Sequence, residues 1–418
     1  MSNKIEDLQV LRGVSILFVL LQHLSITSAI FALTPKRIEL PFFLGVEIFF
    51  VISGYVIYKS LLKDGFNPYV FIIKRFFRLI PCLFLFILFS FAVNYLFLLV
   101  KPEGLNSIFH INSPKESLKE SLHVLSGTFL FYKGPSSYTN GAMWSLSVED
   151  LFYGFLAILC FAQFNFKKHN LIITKIILAF VLSFLFITII ANRLNILFSE
   201  SPKISPYWLN FLTKFRFDFL ILGIIISMLE EIYMCKAKLD VCFSKYGYSL
   251  CPLAILLPLI ICSISENQYA NEKKMLSGFT LIASNLLFGV LVLICSRNVA
   301  FPNNNGLFYR SFIALGNRSY LIYLFHFPVM LLTWTFSFYL TKNNWLPFDF
   351  GSFNPLSYGI FQLTTTLLVL MPLVEIIHNK IEMPLTKYGK NLVENSNKNQ
   401  INPILLSSTN LVELKKAS

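Results

Sequence analysis

Ten runs of about 20 residues with few or no charges recur along the 418-residue chain, at roughly 8–28, 41–60, 78–100, 144–164, 170–191, 208–229, 249–265, 275–296, 318–340 and 356–378. An α-helix rises about 1.5 Å per residue, so such a run is long enough to cross a hydrocarbon layer of about 30 Å. That layer holds no water to satisfy backbone N–H and C=O groups. A helix, bonded within itself, is the structure left open to each run. The expected fold is an all-α polytopic integral membrane protein whose ten transmembrane helices form one bundle, with the lipid bilayer as its first partner.

Composition agrees. Hydrophobic residues make up 55% of the chain and charged residues 14%, where soluble domains are roughly a quarter charged. A net charge of +13 could mark a nucleic-acid binder, but cytoplasmic loops of membrane proteins collect Lys and Arg for orientation alone. With the N-terminus inside, the inner segments hold 21 Lys and Arg and the outer loops 11. Both termini are therefore expected in the cytoplasm, and no nucleic acid is expected as a partner. The first apolar run is too long for a cleavable signal peptide, and no small-residue cleavage site follows it. The seven cysteines form no C-x-x-C pair, so they read as packing residues, with no metal site. Residues 1–388 read as one membrane domain with a segment at 101–143 long enough for a small lid. Residues 389–418, rich in Asn, Ser and Lys, read as a disordered cytoplasmic tail. No G-x-S-x-G, Walker A or G-x-G-x-x-G is present, which leaves the membrane body as the place for chemistry.

Polar residues within the runs mark where that chemistry would lie, because a titratable side chain in a bilayer is costly unless it faces protein or water. The first run carries Arg12 and His23. Eleven helical steps place them within roughly 20° of one face and about 16 Å apart along the axis. Glu47 in the second run and Glu149 in the fourth fall at about the depth of His23. A carboxylate beside an imidazole would orient it as a general base; the plainer reading is two carboxylates wetted near the interface. Arg75 and Arg78 share a helix face before the third run, where they would fork onto phosphate or lie against lipid headgroups. Arg216 and Asp218 in the sixth run suggest structural ion pairs. Ser319, Tyr323 and His326 fall on one face of the ninth.

These segments together resemble the membrane-bound acyltransferase 3 family over about residues 8–388. The resemblance rests on R-x10-H from Arg12 to His23, the GVExFFVISGY stretch from Gly45 to Tyr55, and RxxR at Arg75 and Arg78. It continues in WSLSVE from Trp144 to Glu149, RFDFLxxG from Arg216 to Gly223, SYxxYLxH from Ser319 to His326, and ExP from Glu382 to Pro384. Glu47 stands where the family often has Asp, and Asp150 where it usually has a second Glu. The resemblance implies an O-acetyltransferase of the bacterial inner membrane, of the type without an appended SGNH domain. Such an enzyme moves an acetyl group from cytoplasmic acetyl-CoA, the acyl-CoA donor, to a hydroxyl of a surface carbohydrate such as lipopolysaccharide O-antigen, free or lipid-linked. On that reading Arg75 and Arg78 hold the donor's phosphates and Arg12 guides its arm. His23, with Glu47 or Glu149, either deprotonates the acceptor hydroxyl or carries the acyl group. Trp144, Ser147, Arg216, Asp218, Ser319, Tyr323 and His326 take supporting parts. Two rivals use the same intramembrane polar residues: a transporter, and a lipid-linked sugar-binding or assembly protein without chemistry.

Overall fold

The computed structural model describes residues 5–30, 41–100, 110–164, 171–198, 205–231, 233–266, 273–301, 306–343 and 355–395. These form an all-α polytopic membrane protein. Its helices are α1 (Glu6–Ile30), α2 (Leu44–Lys63), α3 (Pro68–Val100), α4 (Pro114–Leu125), α5 (Met143–Phe164), α6 (Leu171–Phe198) and α7 (Tyr207–Lys214). They continue as α8 (Phe217–Glu231), α9 (Tyr233–Glu266), α10 (Lys273–Cys295), α11 (Leu307–Asn317), α12 (Ser319–Lys342) and α13 (Pro355–Ile377). Among the described residues six helices are long and apolar enough to cross a membrane, and two more hold shorter apolar stretches, Tyr246–Cys262 and Phe279–Cys295.

Burial sorts the helices into centre and rim. The apolar windows of α2 and α12 are each 72% buried, that of α6 only 22%. Along α6, Ile172, Ile176, Phe180, Phe184 and Ile187 are exposed at helical spacing, a stripe suited to lipid. At the centre, backbones approach closely because glycines let them. A Cβ on Gly54 of α2 would strike the Leu220 carbonyl of α8, and one on Gly223 of α8 would strike the Val51 carbonyl of α2. Gly13 of α1 and Gly316 of α11 stand in the same reciprocal relation, against Phe312 and Gln9.

Three of the departures from the apolar runs bear on the site or on the tail. The third helix begins ten residues earlier than the run at 78, because Asn67 caps it: its Oδ1 accepts from the N–H groups of Tyr69 (3.0 Å) and Val70 (3.3 Å). The sixth run is not one helix but two, α7 and α8, broken at Phe215–Arg216, where Arg216 has φ of +60°. After α13 a π-turn at His378–Glu382 leads into helix that continues to residue 395. The first seven residues assigned to a disordered tail are therefore helical, and Gly389 packs on Phe77 of α3. Residues 396–418 lie outside the described part.

The segment between α3 and α5, referred to below as the lid, is described from residue 110 on; residues 101–109 of it lie outside the described part. Pro114 opens α4 behind a capping box of Ser113 and Glu116. The buried face of α4 is polar, with Ser117, Glu120 and Ser121. Fully buried Glu120 accepts from Asn112 Nδ2 (2.9 Å), Ser136 Oγ (2.9 Å) and the Ser137 N–H (3.0 Å). Ser90 of α3 donates to Asn140, and Thr139 and Ser137 donate to Asn94 of α3. The lid is thus held to α3 by side-chain hydrogen bonds.

Candidate active site

The early start of α3 puts the RxxR pair on a helix, and there both side chains turn inward. Arg75 and Arg78 line a cavity together with Arg12 from α1, Glu149 and Tyr153 from α5, and Ser319 and Tyr323 from α12. Three guanidinium groups face one carboxylate among the lining residues. Arg75 lies over the rings of Tyr153 (5.0 Å) and Phe71 (5.7 Å), and Tyr153 donates to Glu149 Oε2 at 3.2 Å. Lys74 points elsewhere and pairs with Asp64 at 2.5 Å. The result is a net cationic chamber with apolar walls from Phe49, Phe50 and Leu79. In such a low-dielectric setting a bound anion interacts more strongly than in water.

Tyr323 of α12 is among the residues that line the cavity. Its hydroxyl bonds to Ser145 and donates to the Ala142 carbonyl at 2.8 Å. One turn further along α12 lies His326, fully buried. Its Nδ1 is 2.6 Å from the Tyr323 carbonyl oxygen, and its Nε2 is 3.1 Å from His23 Nδ1. The His23 ring also lies 4.4 Å from that of Phe327, which meets Tyr138 of the lid at 4.9 Å. Guanidinium groups, tyrosine and paired imidazoles therefore follow one another from the cavity toward the lid.

The structure redistributes the residues expected from sequence. Arg12, Arg75, Arg78, Glu149, Ser319 and Tyr323 come together at the cavity. His23 meets His326 at 3.1 Å. Glu47, fully buried, forms an ion pair with Arg216, whose guanidinium also lies 5.3 Å from the Phe43 ring. Glu149 faces the arginines. The layer of His23, Glu47 and Glu149 thus does not form: equal depth on three helices says nothing of the direction in which each side chain points. Asp218 is held by Arg193 in a two-pronged contact (2.7 and 3.2 Å) and by Asn285 Nδ2 (3.0 Å). Sequence reasoning missed Arg193, counted with an outer loop, and Asn285. The signal for Arg193 was an arginine just past the end of the fifth apolar run, with an aspartate inside the sixth. Trp144 meets Phe50 edge-on at 6.3 Å, and Ser147 is buried away from the cavity lining.

Fold and site together define an all-helical membrane protein with a cation-lined cavity and, beyond its Tyr323, an imidazole pair of which His326 is fully buried. The profile of the acyltransferase domain of the acyltransferase 3 family matches residues 5–375, and the chain belongs to that family. It is 25% identical over 305 residues to the O-acetyltransferase OatA of Staphylococcus aureus (strain NCTC 8325 / PS 47), an alignment covering 69% of this chain and 46% of that protein. It is 24% identical over 308 residues to the peptidoglycan O-acetyltransferase OatA of Listeria monocytogenes serovar 1/2a, covering 70% of this chain and 45% of that one. The chain thus spans about half the length of the relatives it matches. No solved structure matches it.

Proposed function

We propose that the chain is a membrane O-acetyltransferase that takes an acetyl group from acetyl-CoA at the cytoplasmic face and delivers it to a carbohydrate hydroxyl on the far side. The observation that carries this reading is the cation-lined cavity, with the His23–His326 pair one helical turn beyond its Tyr323. Arg75 and Arg78 bind the donor's phosphates, for which paired guanidinium forks are suited. Arg12, about 16 Å before His23 along α1, draws the thioester arm inward. His23 takes the proton from the acceptor hydroxyl as its oxygen bonds to the thioester carbonyl carbon. The carbon–sulfur bond then breaks, and the proton passes from His23 to the departing thiolate. The net change is one ester formed and one free thiol released. The relatives' names make the amino-sugar backbone of peptidoglycan the first acceptor to test, ahead of the O-antigen that the resemblance alone suggested. A location in the bacterial inner membrane, with both termini in the cytoplasm, belongs to the same reading.

The test is mass spectrometry of cell-wall glycan and surface polysaccharide from cells carrying wild type, a deletion, or His23→Ala. An acetyl increment present with wild type alone is the expected result. Identical samples from all three would remove the carbohydrate acceptor. Release of free thiol from acetyl-CoA, dependent on acceptor, separates the enzyme from a transporter. In that assay Arg75→Ala should raise the donor KM roughly tenfold or more, the worth of one lost charge-assisted contact; an unchanged KM returns the arginine pair to headgroup contact.

A further inference from the structure

We propose that His326 is the positioning residue that sets the tautomer of His23, doing as a neutral group what a carboxylate does in a serine-hydrolase triad. The proposal rests on the reading of His23 as the base. A carbonyl oxygen only accepts, so His326 Nδ1, 2.6 Å from the Tyr323 carbonyl, carries the ring's hydrogen. A neutral imidazole has one N–H, which leaves a lone pair on His326 Nε2. That nitrogen is 3.1 Å from His23 Nδ1, so His23 Nδ1 donates. The lone pair of His23 then sits on Nε2, the nitrogen that takes the acceptor's proton. The direction of every link follows from the first. The His23 ring also bonds the Val19 carbonyl one turn back, a second acceptor that calls for an N–H on that ring.

A neutral orienting group fits the location. His326 is completely buried, and an unpaired carboxylate there would carry a large desolvation penalty. Glu47 and Glu149 meet that demand with arginines elsewhere. When His23 gains a proton on Nε2, His326 Nε2 accepts a charge-assisted hydrogen bond from the imidazolium. When the leaving thiolate takes that proton back, the neutral chain is restored. His326 neither gains nor loses a proton in the cycle.

Two isosteric amides test this. In His326→Gln the terminal amide occupies the place of Nε2 and presents an acceptor to His23. In His326→Asn the amide occupies the place of Nδ1, bonds Tyr323 and leaves His23 without that acceptor. With full-length protein in lipid nanodiscs, we expect Gln to keep kcat within about fivefold of wild type. Asn should lower it by about 100-fold or more, the direction a wrong tautomer takes in a triad, with the acetyl-CoA KM unchanged in both. Equal activities for Gln and Asn would overturn the proposal and leave His326 as packing, with Val19 sufficient. A second readout needs no turnover. In 15N-histidine NMR, the His23 signals, assigned by their loss in His23→Ala, should show Nδ1 protonated in wild type and a mixture of tautomers in His326→Leu. A wild-type His23 protonated on Nε2 overturns the proposal as well. Full transfer by His23→Ala, in contrast, sinks the base role and not the tautomer.

Discussion

Glu47 and Arg216 neutralise each other where either alone is expensive. The carboxylate is fully buried and the guanidinium three-quarters so. Removing one partner of such a pair leaves an uncompensated charge at about 3–5 kcal/mol, whereas replacing both by apolar groups is often neutral. Arg216→Ala should therefore lower the yield and thermal stability of detergent-solubilised protein, and the double change Glu47→Leu with Arg216→Met should recover most of it. A double variant no better than the single would show that Arg216 acts through something other than this pair. Sequence made both residues visible as charges inside apolar runs, but not their pairing. That depends on the left-handed backbone at Arg216, which re-aims its side chain, and the surrounding KFRFDF gives no glycine or proline to announce the break. His23 and His326 were visible for the same reason, and unpaired for the same reason: 303 positions separate them.

At the scale of elements, the α2–α8 crossing has no spare volume. Gly54→Ala or Gly223→Ala would place a methyl group against a backbone carbonyl of the facing helix. Overpacking of this kind costs about 1–3 kcal/mol, more when the obstacle is backbone. Each should reduce the melting temperature of the solubilised protein, while Gly359→Ala, where nothing lies within contact of the new methyl, should not; equal effects at all three would refute tight packing as the cause. The lid obeys a different rule. Glu120 gathers three donors, so Glu120→Ala leaves buried partners unsatisfied at about 1–3 kcal/mol. Amide exchange across residues 112–140 should quicken in that variant without change in α2 or α12; a uniform increase would mean global destabilisation instead. Apolar length announced the helices well, because the bilayer demands them. The early start of α3 was harder to see, since residues 68–77 mix charges with aromatics and only Asn67 marks the true beginning.

For the whole molecule, orientation has the most direct test. Alkaline phosphatase joined within 126–136 of the lid should be active, and the same reporter joined after residue 395 inactive; the reverse pattern would invert the assignment of donor and acceptor faces. How helices cross was not legible from the pattern of runs, because hydropathy specifies which segments enter the membrane and leaves their rotation about their own axes open. Those rotations decided the site, turning Glu149 to the arginines and His23 to His326. The Glu47–Arg216 pair also bears on how the chain is made. Arg216 lies 169 residues after Glu47, and at about 5–20 residues per second it leaves the ribosome roughly 10–30 s later. For that interval the carboxylate of α2 lacks the partner it has in the folded protein. Until the second half of the protein arrives, α2 carries a carboxylate that is costly in lipid unless it stays protonated or close to water.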